Sequence, residues 1–472
     1  MKSIEIIRKF IGSNYVLDRV AREVFERLPL RLRYRLYYGK TFLYWSAFLR
    51  ESEYWDKEKL EAFQIEQLKA LLEHAAQNVP YYKKLFVDYG FKPERLQCLD
   101  DIKTLPYLTK EMVRDRANDF VATTVPKEDL IKTTTGGSTG IPLVIYKTRE
   151  SRESSQAFLL NLLSRVGYSP KKKVAFFQWR DINMGNRKNM DFLRYGNKLV
   201  LSAANINNNE WMHKYYGMIM RFKPEFISGY VTIVLALAFF IKEQGLSPFN
   251  YMKAAFAYAE TLYPWQRRII EEAFGTRVFT SYGMYEGVIF GGECEHSNQY
   301  HIYPQYGITE FVDIDGGNKE IAGSGFGNYA MPLIRYRTMD IGVKGAEKCD
   351  KCNSNYPLIA TIGGRIKEFL VNKDGRIFYT AMAGIDTDIF KNVKQFQFYQ
   401  DEPGIACLKI VKRSTYSDSD TLLIEKEINK RFNTPESGIE IKIVFVDNIE
   451  RSPSGKILMT DQRLDIKDFI KL

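Results

Sequence analysis

Three short segments place groups able to handle phosphate, a divalent cation and a sugar hydroxyl. Thr133-Thr134-Thr135-Gly136-Gly137-Ser138-Thr139-Gly140 combines hydroxyl donors with three glycines. Glycines at this density let backbone amides turn inward as an anion-binding nest. A P-loop would need Lys-Ser/Thr after the last glycine and a helix there. Ile141-Pro142 follows instead, then the strand-like Leu143-Val144-Ile145-Tyr146. The segment therefore reads as a phosphate loop entering a strand, and a polar hairpin turn is the alternative. In Ser281-Tyr282-Gly283-Met284-Tyr285-Glu286, a tyrosine at a strand end can stack on a purine, and Gly283 lets the backbone come close. Glu286 is a hard oxygen ligand suited to Mg²⁺ between phosphates. Asp340, ending Tyr336-Arg337-Thr338-Met339-Asp340, can accept from ribose hydroxyls.

Two cations complete the set. Arg365, in Gly363-Gly364-Arg365-Ile366-Lys367, can pair with a phosphate. Lys456 lies on the turn Arg451-Ser452-Pro453-Ser454-Gly455-Lys456 near the end of the chain. A cation brought beside a forming carboxylate–phosphate bond stabilises transition-state charge. Taken singly, each of these side chains reads equally as a solvated charge or a surface salt bridge.

A separate constellation suits a metal. Cys349-Asp350-Lys351-Cys352 has knuckle spacing, and Cys294 precedes both His296 and His301. Three cysteines and one histidine make a closed, structural type of Zn²⁺ site. Unliganded buried cysteines are the alternative.

These groups must be carried by an ordered scaffold. Residues 1–90 read as helical; Glu66, Leu68, Leu71, Leu72, Ala75 and Ala76 recur at helical spacing, and Asn78-Val79-Pro80 stops that helix. Thr109 is set as an N-cap. From Val121 to about Gly364, apolar strands such as Val174–Phe177, Val278–Thr280, Gly307–Asp313 and Leu333–Tyr336 alternate with helices, which predicts an α/β body with a largely parallel sheet. Beyond it, Ala406–Val411, Leu422–Phe432 and Ile439–Val446 read strand, helix, strand, a small α+β unit. The expected division is 1–60 as a basic amphipathic helical segment, 61–364 as the large domain, and 365–472 as a small mobile domain carrying Lys456.

The chain has 472 residues, 45% hydrophobic and 26% charged, an ordinary core-forming composition. Its apolar runs fall short of the ~20 residues that span a bilayer. The N-terminus lacks the pattern of a signal peptide. The five cysteines are scattered, which points to a reducing cytoplasm. Of the formal charge of +11, residues 1–50 carry +7, from eleven Lys/Arg against four acids, interleaved with apolar positions. Such a stretch can lie on an anionic membrane face; the alternative is a helical hairpin packed on the body. The cations coincide with no nucleic-acid module, so no nucleic-acid partner is expected.

In their order, the five motifs resemble the adenylate-forming superfamily of acyl-CoA synthetases and adenylation domains. The opening Glu73-His74-Ala75-Ala76-Gln77-Asn78-Val79-Pro80-Tyr81-Tyr82 and the short C-terminal unit resemble the phenylacetate–CoA ligase-like family, especially its capsular polysaccharide branch. The resemblance implies a large α/β body with mixed and parallel sheets plus a small mobile domain. It implies that Thr133–Gly140 hold the ATP phosphates, Tyr282 stacks on adenine beside Gly283, Glu286 binds Mg²⁺ and Asp340 holds the ribose. Glu260 would lie along the adenine, Arg365 would touch the nucleotide, Lys367 would be the hinge and Lys456 the adenylation lysine. Among the metal ligands it favours His301 over His296. Met339 departs from the family, where glycine often precedes the ribose aspartate. The implied reaction activates a carboxylic acid as acyl-AMP and passes the acyl group to a thiol, such as coenzyme A, or to an amine on a uronic acid or amino sugar. A non-catalytic nucleotide-binding scaffold is the competing class. The acid pocket is expected to draw on Phe177-Gln178-Trp179, Ser228-Gly229-Tyr230 and Tyr258.

Overall fold

The computed structural model describes residues 14–134, 143–178, 182–184, 187–206, 208–314, 318–365, 369–379, 387–390, 392–435, 437–450, 458–464 and 469. Helices fill the N-terminal part, as their spacing predicts. Helix Lys57–Asn78 starts at Asp56, whose carboxylate accepts from the Lys59 N–H. It stops at the extended residue Val79, and Pro80 opens the next helix, Pro80–Asp88. Proline fits there because the first helical residue needs no N–H partner. Thr109 caps Lys110–Asp115 through the Met112 N–H.

A six-stranded sheet follows the order Val278–Phe279, Ala254–Tyr258, Phe226–Tyr230, Val174–Gln178, Lys198–Ser202, Phe192–Tyr195. All its neighbours run parallel except the last pair. Helix Val231–Glu243 is apolar on nearly every side because it is enclosed: Ile233, Val234, Leu237 and Ala238 are fully buried against this sheet and its neighbouring helices.

The expectation of one largely parallel sheet needs correction for the second sheet. Seven strands, ordered 281–283, 290–294, 297–302, 358–365, 336–344, 318–325 and 307–314, run antiparallel throughout. Antiparallel neighbours can be joined by short turns, so this region carries no crossover helices. Leu333–Arg335 also lies outside the strand, which begins at Tyr336.

The C-terminal unit has its own core of Phe398, Leu408, Ile410, Ile424 and Ile428. Its sheet runs 440–445, 405–412, 393–402, 460–462, with helix Asp418–Arg431 packed on it. This unit rests on the large body. The Arg413 guanidinium pairs with Glu243 and covers the Phe239 ring, and Tyr263 meets Met459.

Candidate active site and metal centre

Tyr258, at the carboxyl end of its parallel strand, interacts with Tyr285 in the turn after Gly283, and open α/β sheets hold ligands at such strand ends. Tyr230 and Tyr258 are register partners there, with rings 5.6 Å apart and edge to face. Burial, then Tyr230, pushes the Tyr258 phenol up to about 12, and Tyr285 also bears on it. Phe177 does not face this crevice. It is 2% exposed and packs on Tyr215 in the core, because strand alternation turns it to the helix side. Trp179 lies outside the described residues.

Tyr282 and Asp340 come from separate strands of the antiparallel sheet, and the Tyr282 hydroxyl donates to Asp340 Oδ2 at 2.8 Å. Glu286 follows in the turn after Gly283, with the Tyr336 hydroxyl 3.4 Å from its Oε1. That turn sits tightly on the sheet: a Cβ at Gly325 would lie 2.0 Å from the Gly287 carbonyl oxygen. Asp340 is the register partner of Arg365, so the backbones of these two motifs are adjacent.

The approach to Asp340 bends sharply. Met339 has φ +63°, a region that penalises side-chain-bearing residues. This accounts for the glycine common at this position in the resembling family. Here the bend is fixed by Glu320, which is fully buried, accepts from the Met339 N–H at 2.8 Å and from Arg337 Nε at 2.6 Å. Thr338 Oγ1 adds a bond to the Ile321 carbonyl and accepts from the Asp340 N–H. Sequence reasoning missed Glu320, since an acid amid apolar residues gives no local signal of its role.

Thr133 and Thr134 end the strand Ile131–Thr134, which pairs antiparallel with Val144–Lys147. Thr135, Gly136, Gly137, Ser138, Thr139 and Gly140 lie outside the described residues, as do Lys367 and Lys456. Of Arg365 only the backbone is described. A second residue missed from the sequence is Lys147, the register partner of Ile131. It is buried, and desolvation lowers its pKa while the Glu286 charge raises it. The returning strand of the Thr/Gly hairpin thus carries a cation toward Glu286.

Glu260 lies against the start of a helix. Its carboxylate accepts from the Thr232 N–H at 2.8 Å and the Thr232 hydroxyl at 3.2 Å, capping the first turn of helix Val231–Glu243. Ala259 beside it has φ +67°. Backbone held in this region clusters at functional sites.

The cysteine cluster assembles from three loops and strands. The ligand atoms of Cys294, His301, Cys349 and Cys352 all lie within 4.8 Å of one another. Cys294, Cys349 and His301 are buried, and Cys352 is partly so. The His301 Nδ1 faces the Gln299 carbonyl at 3.2 Å, leaving Nε2 toward the sulfurs, 3.3 Å from Cys352 Sγ. A backbone partner of this kind fixes a ligating tautomer. Burial, then Arg165, pushes His301 down to about 4, so the ring is neutral, as a ligand requires. Burial opposes the Cys349 thiolate, but backbone N–H donors from Lys351 and Cys352 bring its pKa below the usual value. His296 stands apart with a side chain 56% exposed. The donor set fits a closed tetrahedral ion of the Zn²⁺ type.

Comparison with known proteins agrees with this architecture. Residues 369–462 match the CapK C-terminal domain family. Protein CapK of Staphylococcus aureus is 24% identical over 459 residues, covering 94% of this chain and 98% of that protein. The phenylacetate-coenzyme A ligase of Thermus thermophilus is 26% identical over 365 residues, 74% of this chain and 79% of that one. Among solved structures, 2-hydroxyisobutyryl-CoA ligase in the postadenylation state, in complex with R3-HIB-AMP, superposes with a TM-score of 0.68 at 16% identity, covering 89% of this chain and 92% of that chain. Over most of its length the chain is thus similar to protein CapK and to phenylacetate-coenzyme A ligase, and it shares the fold of 2-hydroxyisobutyryl-CoA ligase.

Proposed function

We propose that this protein is an ATP-dependent ligase that joins a carboxylic acid to AMP, releases pyrophosphate, and passes the acyl group to a nucleophile. The observation that carries the reading is the pairing of Tyr282 with Asp340, and of Tyr336 with Glu286, on the antiparallel sheet. In this reading Asp340 accepts from the ribose hydroxyls, and Tyr282 holds that carboxylate in place while its ring borders the adenine. The Thr133–Gly140 segment cradles the phosphates, and Mg²⁺ on Glu286 would balance their charge. Arg365 contacts the nucleotide. Lys456 enters with the small domain, which turns about Lys367 between the two half-reactions. The Lys456 ammonium stabilises charge as the carboxylate oxygen bonds to the α-phosphorus and the bond to pyrophosphate breaks.

Glu260 acts by seating helix Val231–Glu243 and its own loop at the crevice edge, which is compatible with a position beside the adenine. The likeness to phenylacetate-coenzyme A ligase over most of its length supports coenzyme A as the acceptor. The resemblance of the motifs to the capsular polysaccharide branch allows the second reading, an amine acceptor on a uronic acid or amino sugar. Zinc in the Cys294–His301–Cys349–Cys352 site pins the loop around Cys349 to the sheet and takes no part in the chemistry. The basic N-terminal segment places the protein at the inner face of a membrane.

The test is a variant. Lys456→Ala should abolish acyl-AMP formation and leave ATP binding largely intact. Adenylation at the parental rate would remove Lys456 from the role. With the parental protein, product formed with coenzyme A but not with amino sugars decides between acceptors, and the converse favours the amine.

A further inference from the structure

Helix Tyr15–Arg27 is packed the wrong way round for a water-facing helix. Val16, Val20 and Val24, spaced one turn apart, are 62%, 53% and 57% exposed, and Leu17 lies beside them. The acids of the helix are turned toward the body or paired along it. Asp18 pairs with Arg22 one turn on, at 2.9 Å. Glu23 accepts from the Gly196 N–H at 2.9 Å. Glu26 is buried between Arg33, at 2.6 Å, and Lys198, at 3.1 Å. Asp18, Arg22, Glu26, Arg33 and Lys198 line a cavity of about 500 Å³ between this helix and the body. A helix surrounded by water normally shows its polar side and buries its apolar one.

We infer that the outward face of helix Tyr15–Arg27, with Val16, Leu17, Val20 and Val24, is a docking surface for an anionic phospholipid membrane. The inference rests on the membrane reading of the N-terminal segment and names the surface that makes the contact. Charge selects the occupant. All three acids of the helix are turned toward the body or paired along it, whereas Arg19 and Arg27 are exposed at the margins of the valine stripe. Leu32, in the following helix, is also exposed, at 41%. An apolar stripe edged by arginines matches the boundary between headgroups and acyl chains of an anionic leaflet. Among the described residues no helix is long and apolar enough to cross a membrane, so the contact is peripheral.

The experiment is co-sedimentation of the full chain with vesicles of phosphatidylcholine alone or mixed with phosphatidylglycerol, at low and high salt. The parental protein should bind the mixed vesicles, and salt should weaken that binding. Val20→Asp with Val24→Asp should reduce it by at least about tenfold, while Val20→Leu with Val24→Leu preserves it. The circular dichroism and the soluble ATP–pyrophosphate exchange of the aspartate variant should match the parent. Absence of parental binding overturns both this inference and the membrane reading. Binding that survives the aspartates leaves the membrane reading standing and overturns the helix face. A self-associated species in light scattering that the aspartates dissolve would assign the face to a second copy of the chain, and also overturns the inference.

Discussion

The Tyr282 hydroxyl donates to Asp340 Oδ2 at 2.8 Å, and both side chains are only 9% exposed. The bond ties two motifs on non-adjacent strands through one carboxylate oxygen. A hydrogen bond to a charged group contributes about 1.5–3 kcal/mol. Part of that is expressed here as preorganisation. Tyr282→Phe should raise the KM for ATP about three- to tenfold with a smaller change in kcat. Asp340→Ala should weaken nucleotide more than that. Isothermal titration with ATP checks both, and an unchanged affinity in Tyr282→Phe would dismiss the orienting role.

The metal centre gives a composition prediction. Purified protein should carry one zinc per chain by elemental analysis, because the four ligand atoms already lie within 4.8 Å of one another. Cys352→Ser should lower zinc affinity by at least about tenfold and lower the unfolding temperature. His296→Ala should change neither. Metal-free protein with all its thiols titrating would end the proposal.

Glu320 sets a pH dependence whose sign can be worked out. Burial raises its carboxyl above the ordinary 4.5, against the lowering effect of Arg337. The folded state therefore holds this proton more tightly than the unfolded state does. Its contribution to stability is full below pH 4.5 and shrinks as pH rises through the raised value. The stability advantage of the parent over Glu320→Gln should accordingly decline as pH rises above 4.5 in thermal unfolding. An advantage that grows over this range would mean that the Arg337 ion pair outweighs burial.

Much of the fold was legible in the sequence, and the reasons for the exceptions are physical. Helix ends at Asn78 and Thr109 were readable because caps and proline act locally. The motif segments are locally encoded too. Glu320 and Lys147 were not readable, since their roles depend on strands that meet only in the folded sheet. The bond of Glu260 to the start of a helix 28 residues earlier in the chain was likewise not readable, since it forms only in the folded protein. The mixed sheets were implied by the family resemblance, whereas the strand pattern alone suggested a largely parallel sheet, because apolar strands joined by short turns carry little signal of direction. The inverted helix at the N-terminus was only half legible, because periodicity reveals an apolar face without saying where it points.

The contact between the units yields a further prediction. Arg413 has a side chain only 6% exposed, between Glu243 and the Phe239 ring. Arg413→Ala removes the pair and the ring contact, at a cost of about 1–2 kcal/mol. That corresponds to roughly five- to thirtyfold more of the undocked arrangement. Limited proteolysis between the units should accelerate accordingly. An unchanged cleavage rate would show that Arg413 does not hold the two together.

The most direct measurement is ATP–pyrophosphate exchange with a panel of aryl, fatty, amino and uronic acids. The ligase reading predicts exchange that depends on at least one acid and disappears in Lys456→Ala. Protein that binds ATP yet exchanges no pyrophosphate with any acid of the panel would contradict it and favour a nucleotide-binding scaffold.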